Sequence, residues 1–480
     1  GNVRPNPAGS NPDMGAYENA LGTPSAPPVP TNLAATVGNG VVNLSWTGND
    51  YSTSYSVYRS TTSGSGFTAI ATGLSTTSYQ NTGLTNETTY YYKVSSTGAG
   101  GESDLTDEIS AIPKAQKYTV KTDGSGDYTV IQTAIDATTD ADTVLVYAGT
   151  YVENINYNGK NIVLKSADGP LTTILVPANN SISVVRIINN ETADAFLSGF
   201  TIKDGGNVRG SAIKISGSSP IIENCIVKDC DNTTDGSFGA ISTFHALPEI
   251  RNCLVYNNYA GFYFDSQDPA TGPKIINCTV VNNQHIGLLG GSSNGIPEIY
   301  NSIVYGNGIN IQGTLIITYS LVEGGFSGAG NIDSDPFFVD ATNGDYRLSD
   351  YSPAIGAGTS TGTPSTDIDD NVRPNPAGSN PDMGAYENAL GSPSAPPVPT
   401  NLAATVGNGV VNLSWTGNDY ATSYSVYRST TSGSGFTAIA TGLSTTSYQN
   451  TGLTNETTYY YKVSSTGAGG ESDLTDEISA

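Results

Sequence analysis

The side chains in this sequence that could do chemistry fall into four groups. Cys225, Cys253 and Cys278 recur at one position of an aligned motif, with Ser302 in the fourth place. Thiols stacked about 4.8 Å apart could bind a soft metal or pair oxidatively. The CxxC spacing and partner His of a zinc site are missing, so a ladder of small buried residues is the preferred reading. Asp333, Asp335, Asp340 and Asp345 crowd the stretch "DSDPFFVDATNGDYRLSD" (333–350), which ends on Asp350. They could gather Ca²⁺, a hard ion that takes several oxygens, and it is the one cofactor the sequence suggests. Their spacing is not that of an EF-hand loop, and Asp capping of tight turns is preferred. Tyr256, Tyr259, Phe262 and Tyr263 lie in "VYNNYAGFYFDSQD" (255–268). On an exposed flank they could stack on sugar rings; the plainer reading is alternate core and surface positions. The acid–base candidates are His245, His285, Gln267 with Asp268, and the bases Arg186, Arg209, Lys214, Lys228, Arg251 and Lys274.

The elements that must position these groups follow from repetition. "PIIENCIVKDC" (220–230), "PEIRNCLVYNN" (248–258), "PKIINCTVVNN" (273–283) and "PEIYNSIVYGN" (297–307) align without gaps, with starts 28, 25 and 24 residues apart. A period near 25 with one apolar strand pattern per turn predicts a parallel β-helix, whose coils share one continuous core. Ile222, Ile250, Ile275 and Ile299 should form one ladder, and Val227, Val255, Val280 and Val304 another. Asn224, Asn252, Asn277 and Asn301 occupy the bend between them, where Asn tolerates the left-handed conformation. Their amides are expected to bond along the axis. Asn258, Asn283 and Asn307 form a second polar stack, with Cys230 in register. Roughly nine or ten coils should make a rod of about 45 Å. Ile131, Ala134 and Ile135 predict a short amphipathic helix over the N-terminal end of the stack.

Outside this block, apolar alternation (Val42, Leu44, Trp46; Tyr55, Val57) between turn clusters reads as a β-sandwich. With Trp46 in the core and Tyr90 as a tyrosine corner, residues 31–113 resemble a fibronectin type III domain. Residues 400–480 repeat it. Residues 2–111 match 371–480 at an offset of 369, with two differences in 110 positions: Thr23 against Ser392 and Ser52 against Ala421. The expected order is a tail (1–22), a Pro-rich linker (23–30), a sandwich (31–113), the β-helix (117–391), a linker (392–399) and a second sandwich (400–480). Each β-helix carries its own tail. Residues 1–22 are therefore expected to belong to the end of a preceding β-helix, and the chain to be a window on a longer repeat array.

The start of the central block, "KYTVKTDGSGDYTVIQTAIDATTDADTVLVYAGTYVENI" (117–155), resembles that of pectin methylesterases and related right-handed β-helix proteins. Its end, "NIDSDPFFVDATNGDYRLSDYSPAIGAG" and "DIDDNVRPNPAGSNPDMGAYE", resembles the C-terminal signature of bacterial extracellular β-helix proteins, pectate-lyase-like with choice-of-anchor tails. The resemblance implies an all-β fold, a right-handed parallel β-helix flanked by two fibronectin type III sandwiches. It also implies secretion to an extracellular or cell-surface location. Activity does not follow. A methylesterase would need two Asp, an oxyanion-stabilising Gln and an Arg. Gln267 and Asp268 come nearest, but the next coil supplies no second Asp and the block has no Trp. A polygalacturonase-like hydrolase needs paired carboxylates and a Gly-His-Gly, a context that neither His245 nor His285 has. The bases do not pair with clustered Asp, as a lyase would require.

Bulk composition narrows the partners. The formal charge of −24, from 43 acids and 19 bases, disfavours nucleic acid. No apolar run reaches the roughly 18 residues of a membrane span. The expected function is a non-enzymatic segment of a secreted tandem-repeat protein that forms a fibre, stalk or adhesive appendage, with copies of itself as partners. The alternative is a carbohydrate-binding or polysaccharide-degrading β-helix on spacers, with glycans as ligands.

Overall fold

The computed structural model describes residues 3–15, 17, 19, 22–206, 208–231, 239–265, 272–290 and 295–480. Residues 1–117 with 138–143 make one compact unit, and residues 118–137 with 144–480 another. Gln267 and Asp268 lie outside the described residues.

The second unit contains a parallel β-solenoid of three sheets, each built of strands three to six residues long or shorter. The first sheet has nine strands, the second eight, from Gly149–Val152 to Leu321–Val322, and the third seven, from Ile155–Asn156 to Ile309–Gln312. Seven described coils therefore carry all three strands, a rod of about 34 Å. The expected nine or ten coils is corrected because the chain stops coiling after Val322. Residues 323–391 run instead along the outside of the second sheet, and include the hairpin Phe338–Asp340 with Asp345–Leu348.

The expected ladders fall in register. Ile222 pairs with Ile250, then Ile275, then Ile299; Val227 pairs with Val255, Val280 and Val304. All eight are buried in one core with Phe200, Phe262 and Phe264. The helix Ile131–Ala137 buries Ile131, Ala134 and Ile135 against this core. Its first backbone donors are met by Glu153, whose two carboxylate oxygens accept from Ile131 N and Gln132 N at 2.9 Å each.

Two polar columns hold the coils together inside the core. Asn258 donates through its backbone N and Nδ2 to Asn283 Oδ1, and Asn283 does the same to Asn307 Oδ1. Each Nδ2 also donates to a carbonyl of the neighbouring coil, Val227 for Asn258 and Val255 for Asn283. The thiols form the other column. Cys225, Cys253 and Cys278 are free and buried. Each Sγ donates to the carbonyl two residues back, as do the hydroxyls of Ser302 and Ser320. Cys253 N donates to Cys278 Sγ, Cys278 N to Ser302 Oγ, and Ser302 N to Ser320 Oγ. Burial and the flanking thiols raise the Cys253 pKa well above the thiol range, so it stays protonated and unreactive. This column needs a small side chain that both donates and accepts, which Cys and Ser share.

The outer blocks are sandwiches. In the first, Thr31–Gly38, Val41–Thr47 and Ser78–Asn81 form one sheet, and a five-stranded sheet forms around Ser54–Ser60 and Tyr90–Gly98. Trp46 packs edge-on against Tyr55 at 5.7 Å, and the Tyr90 hydroxyl accepts from Thr85 N, the bond expected of a tyrosine corner. Trp415, Tyr424 and Tyr459 repeat these contacts.

Substituting Asn283 by Ala strands the Asn258 backbone donor and the Val255 carbonyl. The expected loss is about 3 kcal/mol of unfolding free energy, since each unpaired buried group costs roughly 1–3 kcal/mol. Cys253→Ser keeps a donor and an acceptor and should cost less than half as much. Equal losses in urea denaturation would contradict the ladder account.

Candidate functional site

The structure separates the four aromatics that sequence grouped for sugar stacking. Phe262 is corrected to a core residue, stacked on Phe264 at 5.6 Å. Tyr256 lies on the second sheet under the C-terminal segment, 5.1 Å from the Tyr346 ring. Tyr259 stacks on His285 at 5.3 Å. Only Tyr263 faces outward on the third sheet. There its ring lies 5.7 Å from Phe244, and Lys214 Nζ is 5.7 Å over the Phe244 ring. Arg186 pairs in register with Lys214, which extends this face as a short basic and aromatic strip. Arg251 bonds Glu223 and Glu249 at 2.6 and 2.9 Å, and Lys228 lies 3.4 Å from Asp229. His245 sits at a bend with φ 48°.

The acidic stretch is held in turns. Asp333 accepts from Gly324 N, Asp335 from Phe337 N, and Asp340 caps the short turn Ala341–Asn343. Asp345 is paired with Arg347, which holds its carboxyl below the usual range. No group of three metal-ligating side chains comes together among the described residues. The geometry thus supports turn capping and does not assemble Asp333, Asp335, Asp340 and Asp345 into a cation site.

The most elaborate arrangement lies on the outside of the second sheet. Its outward column runs Ile226, Leu254, Thr279, Ile303 and Leu321. The four apolar members are buried under Tyr346, Leu348, Ala354, Ile355, Ile368, Met383 and Ala385, and Thr279 Oγ1 accepts from Ala385 N. The Asn224 stack has a part in this. Asn224, Asn252, Asn277 and Asn301 have φ of 54, 51, 49 and 52°, the left-handed bend expected. Bonding along the axis is corrected: one such bond, Asn301 to Asn277 at 3.4 Å, is present. The Nδ2 groups instead reach out to the covering segment, Asn252 to Thr366 O, Asn277 to Asp382 O, and Asn301 to Thr359 O. Shorter, better bonds are available there, and a bare backbone segment needs donors.

The covering segment closes on a buried charge cluster. Arg373 Nη1 donates to Asp382 O and Gly384 O at 3.1 Å each, and its Nε lies 3.3 Å from Glu387 Oε2 with both side chains fully buried. Glu387 accepts from Asn375 N and Asp382 N; Asp382 accepts from Gly356 N and Asn388 N. Asp367 accepts from Asn371 N and Glu387 N. Burial, then the neighbouring Glu387, pushes the Asp382 pKa up to about 7, and burial raises Glu387 and Asp369 as well.

The same segment seats the second sandwich. Tyr420 packs 4.1 Å from Tyr351 and 5.2 Å from Phe337, and Ser394 N donates to Asp350 O at 2.7 Å. Sequence reasoning singled out the copied stretch 371–391 but missed Arg373, Glu387 and Tyr420 as working residues. The available signal was charge and aromatic side chains in a Gly- and Pro-rich stretch with no strand pattern.

Residues 151–320 match the family described as a right handed beta helix region. Over 90 residues, the chain is 39% identical to an amylopullulanase of Thermoanaerobacterium saccharolyticum, a match that covers 18% of this chain and 7% of that protein. An amylopullulanase of Thermoanaerobacter thermohydrosulfuricus is 40% identical over 90 residues, covering 18% and 6%. The chain thus spans a small part of these relatives. Among solved structures, a Fn3-like protein from Clostridium thermocellum is similar at 39% identity, covering 19% of this chain and 99% of that one, with a TM-score of 0.18. A beta-1,2-glucanase from Parabacteroides distasonis is similar at 22% identity, covering 20% and 14%, TM-score 0.18. No helix among the described residues is long and apolar enough to cross a membrane.

Two outcomes follow. Carboxyls whose folded pKa is raised stabilise fully below their unfolded value near 4, and that contribution is lost as pH rises through the folded value. The solenoid's calorimetric transition should therefore fall in temperature from about pH 4 to about pH 7 and level off above the Asp382 value of about 7. Asp382→Asn should give a lower but flatter profile; a transition that rises with pH would contradict the assignment. Adding a chelator should leave the transition unchanged, whereas a clear drop would restore the Ca²⁺ reading of residues 333–350.

Proposed function

We propose that this chain is a non-enzymatic structural segment of an extracellular repeat protein, a fibre, stalk or adhesive appendage in which solenoid rods and sandwiches alternate. The observation that carries this reading is the joint: Tyr420 clasped by Phe337 and Tyr351, above a segment buried along the solenoid. A flexible linker would suffice for a tethered catalytic module. A packed aromatic joint with a backbone bond from Ser394 suits a part that must hold an angle and transmit load. The copy at an offset of 369 residues supports repetition of that joint. A solenoid of about 34 Å and a sandwich of roughly 35 Å limit the axial period to about 70 Å.

One observation favours a second reading. The Arg186, Lys214, Phe244 and Tyr263 strip offers cations beside an aromatic face, a combination that suits an acidic sugar chain. The likeness of 90 residues to amylopullulanases lends a carbohydrate context. In that reading the solenoid binds or degrades a polysaccharide and the sandwiches are spacers.

Electron micrographs of native material should show a thread with a repeat no longer than about 70 Å. Turnover in an assay for unsaturated uronate release would end the structural reading. Tyr420→Ala should loosen the joint, so that limited proteolysis within residues 392–399 becomes several-fold faster while the solenoid transition stays in place.

A further inference from the structure

Residues 3–28 repeat residues 372–397 with one difference, Thr23 against Ser392, and the two copies sit in different surroundings. Their local bonding is the same. Asn19 N donates to Asp13 Oδ2 at 2.6 Å, as Asn388 N does to Asp382 Oδ2. Ser10 Oγ donates to Pro7 O at 2.8 Å, as Ser379 Oγ does to Pro376 O. Arg4 Nη2 donates to Gly15 O, as Arg373 Nη1 does to Gly384 O. The surroundings differ completely. Met383 is fully buried against the solenoid, while Met14 is fully exposed and Tyr17 is 90% exposed. Leu21 lies outside the described residues. A Cβ on Gly384 would strike Ile303 and Thr279 at 2.8 Å, whereas one on Gly15 would meet nothing within 4 Å. Tyr420 lies between two rings; its counterpart Tyr51 is 75% exposed.

Between this tail and the first sandwich lies a cavity of about 600 Å³, lined by Asp13, Asn19, Ser25, Pro27 and Tyr51 among others. The counterparts of four of these show what such a surface holds. Asp382 accepts from Gly356 N, Asn388 Nδ2 donates to Leu348 O, Ser394 N donates to Asp350 O, and Tyr420 packs on Tyr351. All four partners lie in one stretch, Leu348 to Gly356.

We propose that this cavity and the exposed face of Met14, Tyr17 and Tyr51 are a preformed receptacle for the C-terminal edge of a second solenoid of this sequence, the stretch equivalent to 348–356. The chain's own 348–356 is already covered by its own residues 382–420, so the occupant comes from another solenoid whose edge is open. Because the receptacle already has its docked local structure, association would spend little on ordering it. Exposed Met14 and Tyr17 on the tail, beside exposed Tyr51 of the sandwich, are otherwise a liability. The assignment rests on the internal copy and not on the fibre reading: docking without any thread in micrographs would keep the one and remove the other.

The test extends the full chain by placing a copy of residues 118–370 directly ahead of Gly1. In hydrogen exchange, the amides of 3–22 should change from unprotected in the 480-residue chain to the slow exchange of 371–391, a slowing on the order of 100-fold or more. Tyr51→Ala in the extended chain should remove the protection at Ser25 and leave 371–391 unchanged. An added solenoid that folds cooperatively beside an unprotected 3–22 would overturn the proposal. A second measurement needs no extension. A peptide of residues 348–356, at millimolar concentration, should shift the Asn19, Ser25 and Tyr51 resonances of the 480-residue chain, and a scrambled peptide should not. The absence of any shift would overturn the proposal.

Discussion

The outward face of the second solenoid sheet must be covered, and most of the C-terminal structure follows from that. A β-solenoid coil has an inward face that stacking buries and an outward face that ordinarily meets water. Here Ile226, Leu254, Ile303 and Leu321 point outward and are buried all the same. At about 1.5–3 kcal/mol per fully buried large apolar side chain, leaving the column open would cost a large fraction of a domain's net stability. Residues 323–391 are the cover. Since the segment has few strands of its own, its backbone must be satisfied by side chains. The Asn252, Asn277 and Asn301 amides and the Arg373, Asp382 and Glu387 cluster do this.

That arrangement joins stability to the link with the next domain. The covering segment presents Phe337, Asp350 and Tyr351 at its outer surface, and these are the groups that hold the second sandwich through Tyr420 and Ser394. Breaking the buried ion pair of Arg373 and Glu387 would strand a charge, at a cost of roughly 3–5 kcal/mol. It would also loosen the platform under the joint.

The inner structure was legible because it obeys a period. Ile222 and Val227 recur with spacings near 25, and their partners fell in register. The helix at Ile131 and the sandwich cores around Trp46 and Trp415 were legible for the same reason, apolar alternation at the period of the element. The covering segment has no period. Phe262 was misplaced because, within "AGFYFD", alternation alone does not say which face is inward. The Asn224 stack had the right backbone conformation but the wrong partners, because its amides are claimed by residues more than 50 positions away. Contacts that distant leave no trace in local spacing. The copied tail shows the same limit from the other side: residues 3–22 and 372–391 share their turns, yet one copy is buried and the other open.

The central claim is that the second sandwich is fixed to the solenoid and does not swing on a linker. Spin labels on Lys274→Cys and Thr437→Cys would report it directly, since both positions are exposed and the four native thiols are buried. Pulsed electron resonance on the full chain should give one narrow distance distribution, unchanged by salt. A broad distribution, like that of two bodies joined by a mobile tether, would contradict the account.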